Sequence, residues 1–176
     1  MYKRQHHTNT HVFTQVFSQP DRFGGDSRFA EGLVNRLSVL SAAPTSQRDT
    51  GSAPYVKTSV FGGGDIKESI WNFSGMSAPI KVLQDNTYGV GVTVSTPPLP
   101  DTPNFDGTVR SAPLIVSAND QIYPSVALET LRAFYDQPNY QTRVTPEVGI
   151  EWIRMGRQPP IELSLIHISE PTRLVS

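Results

Sequence analysis

The chain has 176 residues, no cysteine and a formal net charge of -1, from 15 basic and 16 acidic side chains. That length suits one domain with a core of its own. The composition excludes a disulfide framework and a thiolate metal site, and argues against a nucleic-acid surface, which needs a basic stripe. No apolar run approaches the ~18 residues of a membrane span. Pro 15 and Gly 13 make the chain turn-rich, and 37% hydrophobic residues are enough for a globular domain.

The two ends need separate treatment. Met1-Tyr2-Lys3-Arg4-Gln5 and Leu163-Ser164-Leu165-Ile166-His167 can be encoded by reverse-complementary DNA, with GTG as the start codon. The run from Leu163 to Arg173 also resembles the translated transposase adapter of sequencing libraries. Residues 1–5 and 163–176 are therefore expected to be adapter-derived, and are set aside as a cloning scar would be. What remains, 6–162, is expected to be an internal piece of a longer product. It is slightly more acidic than the whole, because Lys3, Arg4 and Arg173 leave with a single acid, Glu170.

Along that piece, Val12 to Phe17 is rich in β-branched and aromatic residues and predicts a strand. Pro20 to Gly25 turns the chain. Asp26 is placed to N-cap a helix in which Phe29, Ala30, Leu33, Val34 and Leu37 share a face. A strand over Ser38 to Ala42 follows. Strand, helix and strand within roughly thirty residues is the βαβ rhythm, which favours a parallel pair. Residues 43–53 read as a polar surface loop, and Val56 to Phe61 as a short strand ended by Gly62-Gly63-Gly64. Trp71 to Ala78 lacks a clear period, and Pro79 to Gln84 suits one helical turn or two. Tyr88 to Val94 alternates like a strand, but Gly89 and Gly91 weaken it unless something approaches closely. Four prolines, Pro97, Pro98, Pro100 and Pro103, make a stiff connector.

The best-specified unit runs from Asn104 to Tyr135. Asp106-Gly107 is a strong turn dipeptide. Pro113 to Val116 is strand-like. Tyr123-Pro124-Ser125 predicts a helix opening with Pro124 at the first helical position, where its missing N–H costs nothing. Ala127, Leu128, Leu131, Phe134 and Tyr135 would share that helix's inner face. Beyond it, Tyr140–Val144 and Gly149–Met155 are strand candidates. Together these elements predict an α/β fold: a mixed, mostly parallel sheet with flanking helices, incomplete at its C-terminus.

No catalytic constellation emerges. Gly24-Gly25-Asp26 is similar to the opening of the diguanylate cyclase signature, but Ser27 stands where a carboxylate is needed, and a helix cap accounts better for Asp26. Phe61-Gly62-Gly63-Gly64-Asp65 lacks the ending of a phosphate-binding loop. His6, His7 and His11 have no metal-site spacing. Asp101, Asp106, Asp120, Glu129 and Asp136 are scattered acids, mostly in turns, with nothing to hold two at a fixed separation. Arg110, Arg154 and Arg157 could bind an anion, although single arginines near turns usually pair with nearby acids, and Arg110 is the candidate ligand residue within the Asn104–Tyr135 unit. No cofactor and no metal is expected, and the piece itself is not expected to be an enzyme.

The residues of this unit carry a family likeness. Asp106-Gly107-Thr108-Val109-Arg110, then Pro113-Leu114, then Tyr123-Pro124-Ser125-Val126-Ala127-Leu128-Glu129, resembles the second type of CHASE domain, an extracytoplasmic sensor found on bacterial adenylate/guanylate cyclases, histidine kinases and related receptors. The chain departs from that pattern at Ser111, where a second arginine is frequent, and at Val126 in place of leucine. Asp26 with the residues around it, and Gly89 to Gly91 leading into the proline connector, are also similar. The resemblance implies a partial sensory input domain over 6–162, periplasmic in an inner-membrane protein whose output enzyme lies elsewhere. It implies an extracellular ligand or partner protein, no nucleic acid, membrane contact only through flanking helices, and a homodimer in the full-length form. It carries over no catalytic residue. Rival expectations are an extracytoplasmic binding or adhesion module without signalling output, and an enzyme whose active site lies outside this piece.

Overall fold

The structure, a computed structural model, describes residues 9–45, 59–63, 66–94, 112–145 and 149–163. Eleven strands, three α-helices and a short 3-10 helix lie among them. The strands form three small sheets, and half of the strand pairings are antiparallel. This corrects the expectation of one mostly parallel sheet flanked by helices. The fold is mostly β.

The first sheet is built on β2 (Ser38–Thr45), whose first half is flanked by β1 (His11–Phe13) and β6 (Gly89–Val92), both parallel to it. The second half of β2 pairs antiparallel with β5 (Gly75–Ser77). The parallel β1–β2 pair around α1 (Gly25–Leu33) is the expected βαβ rhythm, although β1 is three residues long instead of six. Phe13, Phe17 and Phe29 meet edge-on or tilted, with ring centroids 5.1–6.4 Å apart, and hold the start of the chain to α1. Asp26 is not the N-cap. Gly24, at φ 72, occupies that position, and Asp26 sits inside the first turn. There its carboxylate accepts the Asp21 N–H at 2.7 Å while the Asp21 carboxylate accepts the Gly25 N–H at 2.7 Å. The left-handed backbone at 24 suits glycine, and the two aspartates share the capping that one was expected to do. The helix also ends early: Asn35, at φ 60, turns the chain, and Val34 is left exposed.

The second sheet runs β11 (Ile161–Glu162), β10 (Gly149–Met155), β9 (Asn139–Thr145), β3 (Ser59–Gly63). β10 matches its expected bounds, and β9 extends its own by one residue at each end. Gly62 and Gly63 lie within β3 instead of ending it. The third sheet runs β4 (Trp71–Phe73), β7 (Ile115–Ala118), β8 (Gln121–Pro124). Strands as short as β4 and β5 contain too few residues to show a period, which is why 71–78 reads as irregular. β7 and β8 form a hairpin whose two turn residues, Asn119 (φ 48) and Asp120 (φ 63), are both left-handed. Two positive φ values in succession match the right-handed twist of the strands they join, and Asn and Asp tolerate them. Pro124 therefore ends a strand, where no ladder N–H is required of it, instead of opening a helix.

Two apolar clusters fill the interior. One collects Ala30 and Leu33 of α1, Leu83 of α2 (Lys81–Asn86), and Leu40, Val90, Val92 and Tyr123 from the sheets. The other collects Ile66, Leu128, Tyr140, Ile153 and Met155. Between them lies α3 (Val126–Phe134), packed on β6 and β2. β6 makes this possible by alternation: Val90 and Val92 enter the first cluster, while Gly89 and Gly91 face α3.

Candidate functional site

The inner side of α3 holds the main buried polar cluster of the described residues. Ser125 caps the helix, its hydroxyl accepting the Leu128 N–H at 3.2 Å, and its backbone bridges to Val92 of β6. The close fit of the first turn depends on Gly91, because a Cβ there would lie 2.5 Å from the Val126 Cα. One turn on, Gly89 leaves space for the Glu129 carboxylate; a Cβ at 89 would lie 2.0 Å from its Oε1. The glycines expected to weaken this strand unless something approached closely are approached by a helix.

Glu129 and Arg132 are 1% and 4% exposed. Arg132 donates from Nη2 to Glu129 Oε1 at 2.6 Å and from Nε to Oε2 at 2.9 Å, a two-pronged pair within one helical turn. Tyr140 of β9 donates its hydroxyl proton to the same Oε2 at 2.6 Å. The remaining Arg132 prong donates to the Gln137 carbonyl at 2.7 Å, and the guanidinium lies 5.0 Å from the centre of the Tyr88 ring. Tyr88 in turn donates to Asp136 at 2.7 Å. One carboxylate thus joins α3 to the second sheet while seated on a glycine of the first.

The electrostatics follow from this geometry. Burial pushes the Tyr140 phenol far up, and the neighbouring Glu129 charge and hydrogen bond push it further. Burial works to lower Arg132, but its hydrogen bonds to Glu129 and the Glu129 charge outweigh that and leave it raised. Burial alone raises Tyr123. Tyr140 therefore keeps its proton and Arg132 its charge across the physiological range. No buried side-chain polar atom among the described residues lacks a partner. A carboxylate that already accepts three hydrogen bonds and is closed to water holds protons in place; it does not move them. The cluster is a structural tie.

The residues singled out from sequence divide into three groups. Asp106, Gly107 and Arg110 lie outside the described residues. Pro113 precedes β7, Tyr123 is buried on β8 with its hydroxyl donating to Gln121 at 3.2 Å, and Pro124 and Ser125 lead into α3, so the structure brings these four together. Asp26 is in the first turn of α1, only partly buried and bonded to Asp21, although the buried side of that helix packs in the same apolar cluster as Tyr123. Among the described residues no three metal-binding side chains come together. No described helix is long and apolar enough to cross a membrane.

Sequence reasoning missed the tie itself. In the sequence Glu129 reads as one of several scattered acids, Arg132 belongs to no motif, and Tyr140 reads only as a strand residue. The available signal was the three-residue spacing of Glu129 and Arg132, which places them on one helix face, taken together with two glycines in a strand. No family model matches the chain, and no curated protein or solved structure is significantly similar to it.

Proposed function

We propose that the chain is the sensory input module of a membrane-bound bacterial signalling receptor, on the extracytoplasmic side, with its cyclase or kinase output in another part of the protein. The motif resemblance suggests this reading. The observation that carries it is mechanical: the described part of the motif, Pro113 and Tyr123 to Ser125, leads into the junction of all three sheets. β7 and β8 belong to one sheet, Ser125 bridges to β6 of another, and Glu129 reaches Tyr140 of the third. A ligand or partner that favoured one arrangement of these sheets would bias the others through α3, and membrane helices attached to the module would report the difference.

The gene on either side of this segment tests the proposal. Apolar spans of about 20 residues flanking it, followed by cyclase or kinase motifs, are the expected result. Flanks without spanning segments would overturn it, as would robust nucleotide cyclase activity of the purified chain.

A further inference from the structure

α3 turns Leu131 and Phe134 to solvent and buries both of its charged residues, Glu129 and Arg132. Ala127, Leu131, Phe134 and Tyr135 recur at helical spacing on the solvent side, where Leu131 is 40%, Phe134 54% and Tyr135 40% exposed. The side against β6 carries Glu129 and Arg132 between Leu128 and Ala133. Removing apolar area from water is what ordinarily decides which face of a helix docks. By that rule this helix would roll to bury Leu131 and Phe134.

We propose that the Glu129–Arg132–Tyr140 tie, and not apolar burial, selects the face of α3 that docks. Three features favour the observed orientation. The carboxylate fits the gap left by Gly89, whose absent Cβ would otherwise strike Oε1. It accepts the Tyr140 hydroxyl from β9, so a roll would strip that buried phenol of its acceptor, while Arg132, on the same helix, would turn with its partner. The third Arg132 prong holds the Gln137 carbonyl just past the helix end, which fixes the helix about its axis at a second point. Fixing one register among alternatives is the best-attested use of a buried ion pair, whose net contribution to stability is often small.

Single thiols read the orientation directly, because the chain has no cysteine of its own. In the parent chain, Leu131→Cys should label at least about tenfold faster than Ala133→Cys, since a buried thiol reacts only through opening. Replacing the tie by apolar side chains of similar length, Glu129→Met with Arg132→Met, should reverse that order. A folded double variant that keeps the parental order overturns the proposal. Should the double variant unfold, both thiols label fast, and Tyr140→Phe then decides. Faster labelling at 133 with slower labelling at 131 supports the proposal, whereas unchanged rates or a rise at both positions overturns it.

Discussion

Gly91→Ala is expected to destabilise the chain, although the same change in an ordinary strand stabilises by about 0.5–1 kcal/mol by reducing the freedom of the unfolded chain. The reason is where the new Cβ would go: 2.5 Å from the Val126 Cα, 2.7 Å from its N and 2.8 Å from the Ser125 carbonyl oxygen. All three are backbone atoms, so no side chain can swing aside. The first turn of α3 must lift by about 1 Å to reach ordinary carbon contact distances. Overpacking of this kind costs about 1–3 kcal/mol, and disturbing the Ser125 cap adds up to about 1 more. The net expectation is a loss of about 1–3 kcal/mol once the entropic gain is set against it. Urea denaturation measures this as a lower midpoint, by about 1 M if the slope is in the usual range for a small domain. Gly32→Ala is the control, since nothing lies within 4 Å of its Cβ position on α1, and it should stabilise. A Gly91→Ala midpoint equal to or above the parent's would refute the close packing of α3 on β6.

Three further outcomes follow from the same region. Gly89→Ala should displace the Glu129 carboxylate and break its bond to Tyr140, an overpacking cost of about 1–3 kcal/mol. In a Glu129→Ala background most of that cost should vanish, and additive melts in the double-mutant cycle would show that the contact is absent. Ser125→Ala removes the α3 cap and should cost about 1 kcal/mol, with faster amide exchange confined to the first turn; uniform loss of protection along α3 would be the wrong result. Stability should also fall in alkali. The folded chain holds the Tyr140 proton that the unfolded chain releases near pH 10, so the contribution is complete below about pH 10 and is lost as pH rises beyond it. Tyr140→Phe should flatten that loss, and an unchanged alkaline limb in a Tyr140→Phe, Tyr123→Phe chain would contradict the assignment.

The apolar pattern of α3 was legible in the sequence, but its direction was not. Ala127, Leu131, Phe134 and Tyr135 read as an inner face by period alone, yet they are exposed, and of the expected five only Leu128 is buried. Periodicity reports that a helix has two faces. It reports which one is inside only when hydrophobicity is the deciding force, and here a buried ion pair competes with it. Asp26 failed for a local reason: Gly24 could take the left-handed cap position, so the aspartate was free to bond elsewhere. Pro124 failed for a tertiary one. Its segment pairs with β7 across the Asn119-Asp120 turn, and a strand partner is not visible in a helix-opening tripeptide.

By itself the sequence determined the elements with long, strong local signals: the α1 and α3 helices, the β9 and β10 strands, the parallel start around β2, and the glycine pair that required a close neighbour. Tertiary structure alone decided how these divide among three sheets. It also decided that α3 is the close neighbour and that Glu129, Arg132 and Tyr140 meet beneath it. The physical reason is range. Turns, caps and periods are set by residues a few positions apart, whereas the carboxylate on Gly89 and the hydroxyl that closes on it come from segments 40 and 11 residues away from Glu129, and only folding brings them together.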